Sequence, residues 1–130
     1  MFDFTWYQIL NQPPLTPPAW IFSPVWIILY ITMAIALFLF ARKKTFEKKA
    51  WGYVLFFTQF LVNLAWTPAF FGVRNIGLAL AIIILLDIMI FFTIKEFAKV
   101  SRLSALFLVP YFLWVLFATY LNIGFLVLNN

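Results

Sequence analysis

Apolar residues dominate four stretches of the chain, Ala19 to Ala41, Ala50 to Phe71, Ile76 to about Phe97 and Leu103 to Leu128, and polar residues gather in the short segments between them. Each stretch reaches the roughly 20 residues a helix needs to cross about 30 Å of hydrocarbon at about 1.5 Å per residue. The runs are continuous instead of alternating, and the loops are too short for many strands, which argues against a β-barrel. The pattern predicts an all-α integral membrane protein: one domain over residues 1–130, a helical bundle with four visible transmembrane helices at about 19–41, 50–71, 76–97 and 103–128. No internal repeat or low-complexity linker divides it.

Composition strengthens this reading. A chain that is 66% hydrophobic and 10% charged, with mean hydropathy +1.04, carries more apolar surface than a soluble domain of its size could bury. Of the nine basic residues, Arg42, Lys43, Lys44, Lys48 and Lys49 fall in the first loop, Lys95, Lys99 and Arg102 in the third, and Arg74 alone in the second. The positive-inside rule then places loops 42–49 and 95–102 in the cytoplasm, with residues 1–18 and 72–75 outside. The net charge of +5 reports this topology. Short juxtamembrane clusters of this kind suit anionic lipid headgroups, and no nucleic-acid partner is expected. No Lys or Arg precedes Arg42, so no signal-peptide n-region is in view and the spans themselves are expected to direct insertion. Together with the charge bias this fits a bacterial cytoplasmic membrane. The chain has no cysteine and no histidine, which excludes disulfides, thiol nucleophiles, imidazole metal sites and a Ser-His-Asp triad; no metal is expected.

The interruptions of the apolar pattern carry the chemistry. In the first span Phe22, Trp26 and Tyr30 recur every four residues, lining one face that Met33 extends. Helix packing and interfacial anchoring explain such a stripe as readily as ligand binding does, and Trp20 suits the anchoring role. In the second span Gln59, Asn63, Trp66 and Phe70 follow 4, 3, 4 spacing, so two amides and two aromatics share one face that must turn inward; they either clasp a neighbouring helix or line a site. Pro68, lacking an N–H for Leu64, should bend this helix near its end. In the last span Tyr111, Trp114, Ala118 and Asn122 share a face, with Ala118 leaving room for another helix or a flat ligand. Ala65 and Ala69 form a small-xxx-small pair that could serve dimer packing. Asp87 lies near mid-membrane, where a carboxyl group must be protonated, paired with another helix or exposed to a cavity.

Three stretches, "WYQILNQPPLTPPAWIFSPVWIILY", "QFLVNLAWTPAFFGVRNIGLAL" and "PYFLWVLFATYLN", resemble the TspO/MBR family, the tryptophan-rich sensory proteins related to the mitochondrial translocator protein. The resemblance covers nearly the whole chain. It implies a bundle of five membrane helices, usually a homodimer, acting as a receptor or sensor for porphyrins such as protoporphyrin IX, haem-related tetrapyrroles and flat lipophilic molecules. The ligand pocket would lie beneath a lid, residues 1–18, whose prolines Pro13, Pro14, Pro17 and Pro18 restrict its backbone and reduce the entropy lost on closure. Position by position, the resemblance assigns ligand contacts to Tyr7, Pro17, Phe22, Trp26, Tyr30, Asn63, Trp66, Phe70, Ala79, Trp114 and Ala118. It also links Trp26 and Trp114 to light- and oxygen-dependent porphyrin breakdown; no cofactor is required, the porphyrin being ligand or substrate.

This sequence departs from the family pattern at several points. The family's first membrane helix is not in view before Trp6, the usual lid tryptophan is Leu15, and an acidic position common on the third of these spans is Ile82. Asp87 does not replace it, since five helical positions rotate it by about 140°. Tyr120 is followed by no Lys or Arg, so a sterol motif is not supported. Three functions remain open on the sequence: a tetrapyrrole receptor, a photo-oxidative porphyrin-degrading enzyme, and a transporter or accessory subunit resting on Asp87 and the inward amides.

Overall fold

The computed structural model describes residues 13, 14, 16, 19–45, 48–72 and 75–129, with the backbone alone for Ala19 and Phe71. The expected lid contacts Tyr7 and Pro17 therefore lie outside the described residues, as does most of segment 1–18.

A short 3-10 turn, Ala19–Ile21, leads into α1, Phe22–Arg42. Helix α2, Ala50–Thr67, continues into a π-helical turn, Pro68–Gly72; α3 spans Ile76–Val100 and α4 spans Arg102–Leu128. All four are long and apolar enough to cross a membrane. Hydrocarbon offers no partner to backbone N–H and C=O groups, so apolar runs of this length satisfy them within the helix.

The ends follow from local chemistry. Pro68 has no N–H for the carbonyl of Leu64 and its ring crowds that carbonyl, so the helix widens into the π turn there. The Asn75 side chain caps α3 by accepting from the Leu78 N–H at 3.0 Å. Ser101 is the single residue between α3 and α4: its N–H closes α3 on the Phe97 carbonyl at 2.8 Å, and its hydroxyl caps α4 by accepting from the Ser104 N–H at 3.2 Å. Lys49 reaches back to the free carbonyls of Ala41 (3.0 Å) and Lys43 (2.6 Å) at the end of α1.

The helices pack in the order α1–α4–α3–α2. Sequence neighbours α1 and α2 meet through long side chains instead of close backbones. At the end bearing Arg42–Lys49 and Lys95–Arg102, the basic end, Phe40 lies against Gly52, where a Cβ would come within 2.5 Å of its ring. Phe40 stacks on Phe97 at 4.1 Å and meets Tyr53 at 5.1 Å, while Phe56 stacks on Phe97 at 5.8 Å. The Ser104 hydroxyl donates to the Ala36 carbonyl and ties α4 to α1. The outward faces are apolar, with Ile27, Ile28, Leu61, Leu106 and Leu113 prominent among the exposed side chains.

Candidate functional site

Two polar layers interrupt the apolar interior. In the deeper one a hydrogen-bonded chain joins three helices. The Tyr30 hydroxyl donates to Asn63 Oδ1 at 2.8 Å, Asn63 Nδ2 donates to the Tyr111 hydroxyl at 2.9 Å, and that hydroxyl donates to Gln59 Oε1 at 2.7 Å. Gln59 Nε2 ends the chain on the Met33 sulfur at 3.9 Å. Gln59 and Asn63 thus clasp α1 and α4, and their amides satisfy one another's partners inside the bundle.

The layer nearer the opposite end is aromatic. Trp66 stacks on buried Phe70 at 5.2 Å, and Phe70 meets Phe125 edge-on at 5.8 Å. The Trp66 indole donates to Asn122 Oδ1 at 2.9 Å, and Asn122 Nδ2 donates to the Ile76 carbonyl at 3.1 Å, fixing α2, α4 and the start of α3 together. Phe22 meets Trp114 edge-on at 6.1 Å, Trp114 meets Phe117 at 5.5 Å, and Trp26 lies 5.8 Å from the Tyr30 ring. Trp26 and Trp114 are both half-buried and pack against one apolar cluster. Ala79 and Ala118 are buried beside these rings. The Trp114 N–H is buried and has no acceptor among the described residues, in contrast to that of Trp66.

Above this layer Pro13 and Pro14 touch α4. Pro13 is buried against Gly124, where a Cβ would overlap the proline ring, and the Tyr120 hydroxyl donates to the Pro14 carbonyl at 2.6 Å. The Thr16 hydroxyl donates to the Pro13 carbonyl at 2.6 Å, closing a turn between them.

Asp87 stands apart from both layers, on the side of α3 that faces α4. Its Oδ2 lies 2.6 Å from the Thr119 hydroxyl oxygen, which also lies 2.8 Å from the Val115 carbonyl. A hydroxyl has one hydrogen, so both contacts are met when Thr119 donates to Val115 and a protonated Asp87 donates to Thr119. The other carboxyl oxygen, Oδ1, is buried without a donor among the described residues. Asp87 is therefore paired with a neighbouring helix.

Of the residues expected to contact ligand, Phe22, Trp26, Trp66, Phe70, Ala79, Trp114 and Ala118 border the aromatic layer, whereas Tyr30 and Asn63 belong to the clasp beneath it. Phe117, Phe125 and Thr119 escaped sequence reasoning. Among 18 phenylalanines no spacing singles out two, and only the need of Asp87 for a partner at its own depth pointed toward Thr119. Ala65 is exposed while Ala69 is buried, so the pair makes no single outward stripe.

Four apolar helices around paired amides, tyrosines and indoles define a helical membrane protein with an aromatic interior; among the described residues no cluster of metal-ligating side chains is present. Residues 2–128 match the TspO/MBR family, and the chain belongs to that family of membrane sensors and receptors. It is 44% identical over 126 residues to the tryptophan-rich protein TspO of Chlorobaculum tepidum, covering 95% of this chain and 79% of that protein. It is 32% identical over 124 residues to the tryptophan-rich sensory protein of Cereibacter sphaeroides (95% and 77%). With the translocator protein of Ovis aries the identity is 37% over 121 residues (92% and 72%).

Proposed function

We infer that this protein is a membrane receptor for porphyrins, protoporphyrin IX and related tetrapyrroles among them, and for other flat lipophilic molecules, held by the aromatic layer under segment 1–18. The observation that carries this reading is the buried N–H of Trp114, without an acceptor among the described residues, beside the rings of Phe22 and Phe117. An indole N–H deprived of water and of an acceptor costs about 1–3 kcal/mol, which a guest bearing a carbonyl or carboxylate restores. The surrounding rings supply flat apolar faces that suit a planar macrocycle. Ala79 and Ala118 keep the walls thin. The basic end faces the cytoplasm of a bacterial cell and the lid end faces outward, in line with the charge bias; two copies associate as a homodimer.

Titrating purified protein with protoporphyrin IX should quench tryptophan fluorescence saturably, and the double substitution Trp26→Phe, Trp114→Phe should weaken binding beyond the loss of two fluorophores. Saturation at the same porphyrin concentration in the double variant would reject this site.

Oxidation of the bound porphyrin by dioxygen under light is a second reading, favoured by two half-buried, oxidisable indoles in one cluster. A coloured product that forms faster than photobleaching in detergent, and only with both tryptophans present, would establish it. The described residues give Asp87, on which the transporter reading rests, a partner in Thr119 through Oδ2 alone, its Oδ1 meeting no donor among them.

A further inference from the structure

On the outer surface at the basic end, the α3–α4 turn encloses an open groove of about 290 Å³, lined by Ile94, Ala98, Arg102, Ala105, Leu106 and Val109. Its walls follow from helical spacing: Ile94 and Ala98 are one turn apart on α3, and Arg102, Ala105, Leu106 and Val109 recur on one face of α4. The two alanines form a trough between larger aliphatic ridges. Leu103 and Leu106 beside it are 55% and 61% exposed, so this is a lipid-facing surface. The lining surface is entirely apolar, Arg102 contributing only hydrocarbon to it.

The cations around this groove are engaged, with one exception. Lys99 pairs with Glu96 at 3.0 Å. The Lys95 ammonium lies over the rings of Phe91 and Phe92 at 5.8 and 5.9 Å. Arg102, exposed at the first position of α4, has no carboxylate partner among the described residues. The N–H groups of Arg102 and Leu103 lie in the first helical turn, where no intrahelical acceptor reaches them, and the positive end of the helix dipole is there as well. An apolar groove flanked by an exposed arginine that has no carboxylate partner among the described residues is complementary to a molecule with a long hydrocarbon tail and an anionic phosphate head.

We propose that this groove is a binding site for an anionic glycerophospholipid of the leaflet at the basic end, with one acyl chain in the Ala98–Ala105 trough and the phosphate on Arg102. The headgroup alone does not suffice, because most of the site is apolar. A zwitterionic lipid offers the same phosphate with its charge compensated by an ammonium, and so gains less from a position crowded with lysine and arginine. The site lies at the opposite end of the bundle from the aromatic layer and stands or falls independently of porphyrin binding.

Native mass spectrometry of the detergent-solubilised protein tests it, with phosphatidylglycerol and phosphatidylcholine added at equal concentration. One phosphatidylglycerol should be retained in preference. Arg102→Gln should lower its apparent affinity about fivefold, the size expected for one interfacial cation. Ala105→Phe, which fills the trough, should remove the preference, whereas Lys44→Gln with Lys48→Gln in the other basic loop should keep it. Glycerol 1-phosphate, a headgroup without chains, should not compete. Equal retention of the two lipids, undiminished phosphatidylglycerol on Arg102→Gln, or competition by glycerol 1-phosphate would overturn the proposal. If Ala105→Phe fails to fold, Arg102→Gln alone decides.

Discussion

Both ends of the bundle are rich in aromatic rings, yet they are built differently. At the basic end Phe40, Phe56 and Phe97 are fully packed hydrocarbon, stacked at 4.1 and 5.8 Å with Gly52 making room. At the opposite end phenylalanines are joined by the indoles of Trp66 and Trp114 and the phenol of Tyr120, whose polar atoms need partners, and several of these rings stay half-buried. The difference separates a plug from a candidate site. Phenylalanine against phenylalanine in lipid leaves nothing unsatisfied and nothing to recruit, whereas an indole N–H must find an acceptor in the protein or in a guest. Within that end, Trp66 has found one in Asn122, whereas Trp114 has none among the described residues.

The largest effect should come from breaking the plug. Phe97→Ala removes the ring shared by Phe40 and Phe56 and should cost about 3–5 kcal/mol, read as a fall in thermal midpoint in detergent; porphyrin affinity of the protein that remains folded should be unchanged. Next comes the clasp: Tyr111→Phe strands Gln59 Oε1 and Asn63 Nδ2, and should cost about 1–3 kcal/mol. The two indoles should then separate cleanly. Trp66→Phe is expected to destabilise by about 1 kcal/mol through the lost bond to Asn122. Trp114→Phe should leave the midpoint nearly unaltered while weakening porphyrin binding, and a large stability loss there would show that its N–H is structurally engaged. The smallest change is Asp87→Asn, which still offers Thr119 a donor and should shift stability by less than about 1 kcal/mol; a large loss would mean that a charged carboxylate is required.

The four helices were legible because lipid forces long apolar runs to be helical, and the break at Pro68 followed from a missing donor. Legibility fell where the answer depended on rotation between helices. Spacing placed Gln59, Asn63, Trp66 and Phe70 on one face of the second span, but one face spans two environments: the amides bond to α1 and α4 below, and Trp66 bonds to Asn122 above. Which partner each finds depends on the order α1–α4–α3–α2, and no single helix encodes that order. The one-residue turn at Ser101 was likewise hidden, because a serine that ends one helix and caps the next looks like any polar residue in a loop.

The proposed receptor depends most on Trp114, whose N–H has no acceptor among the described residues and would serve a guest. Indole ¹⁵N–¹H spectra of the protein, recorded with and without protoporphyrin IX, test it most directly. The account predicts that the Trp114 N–H shifts downfield and exchanges more slowly with solvent on binding, while the Trp66 signal, already bonded to Asn122, keeps its hydrogen-bond signature. A Trp114 resonance untouched by saturating porphyrin would contradict it.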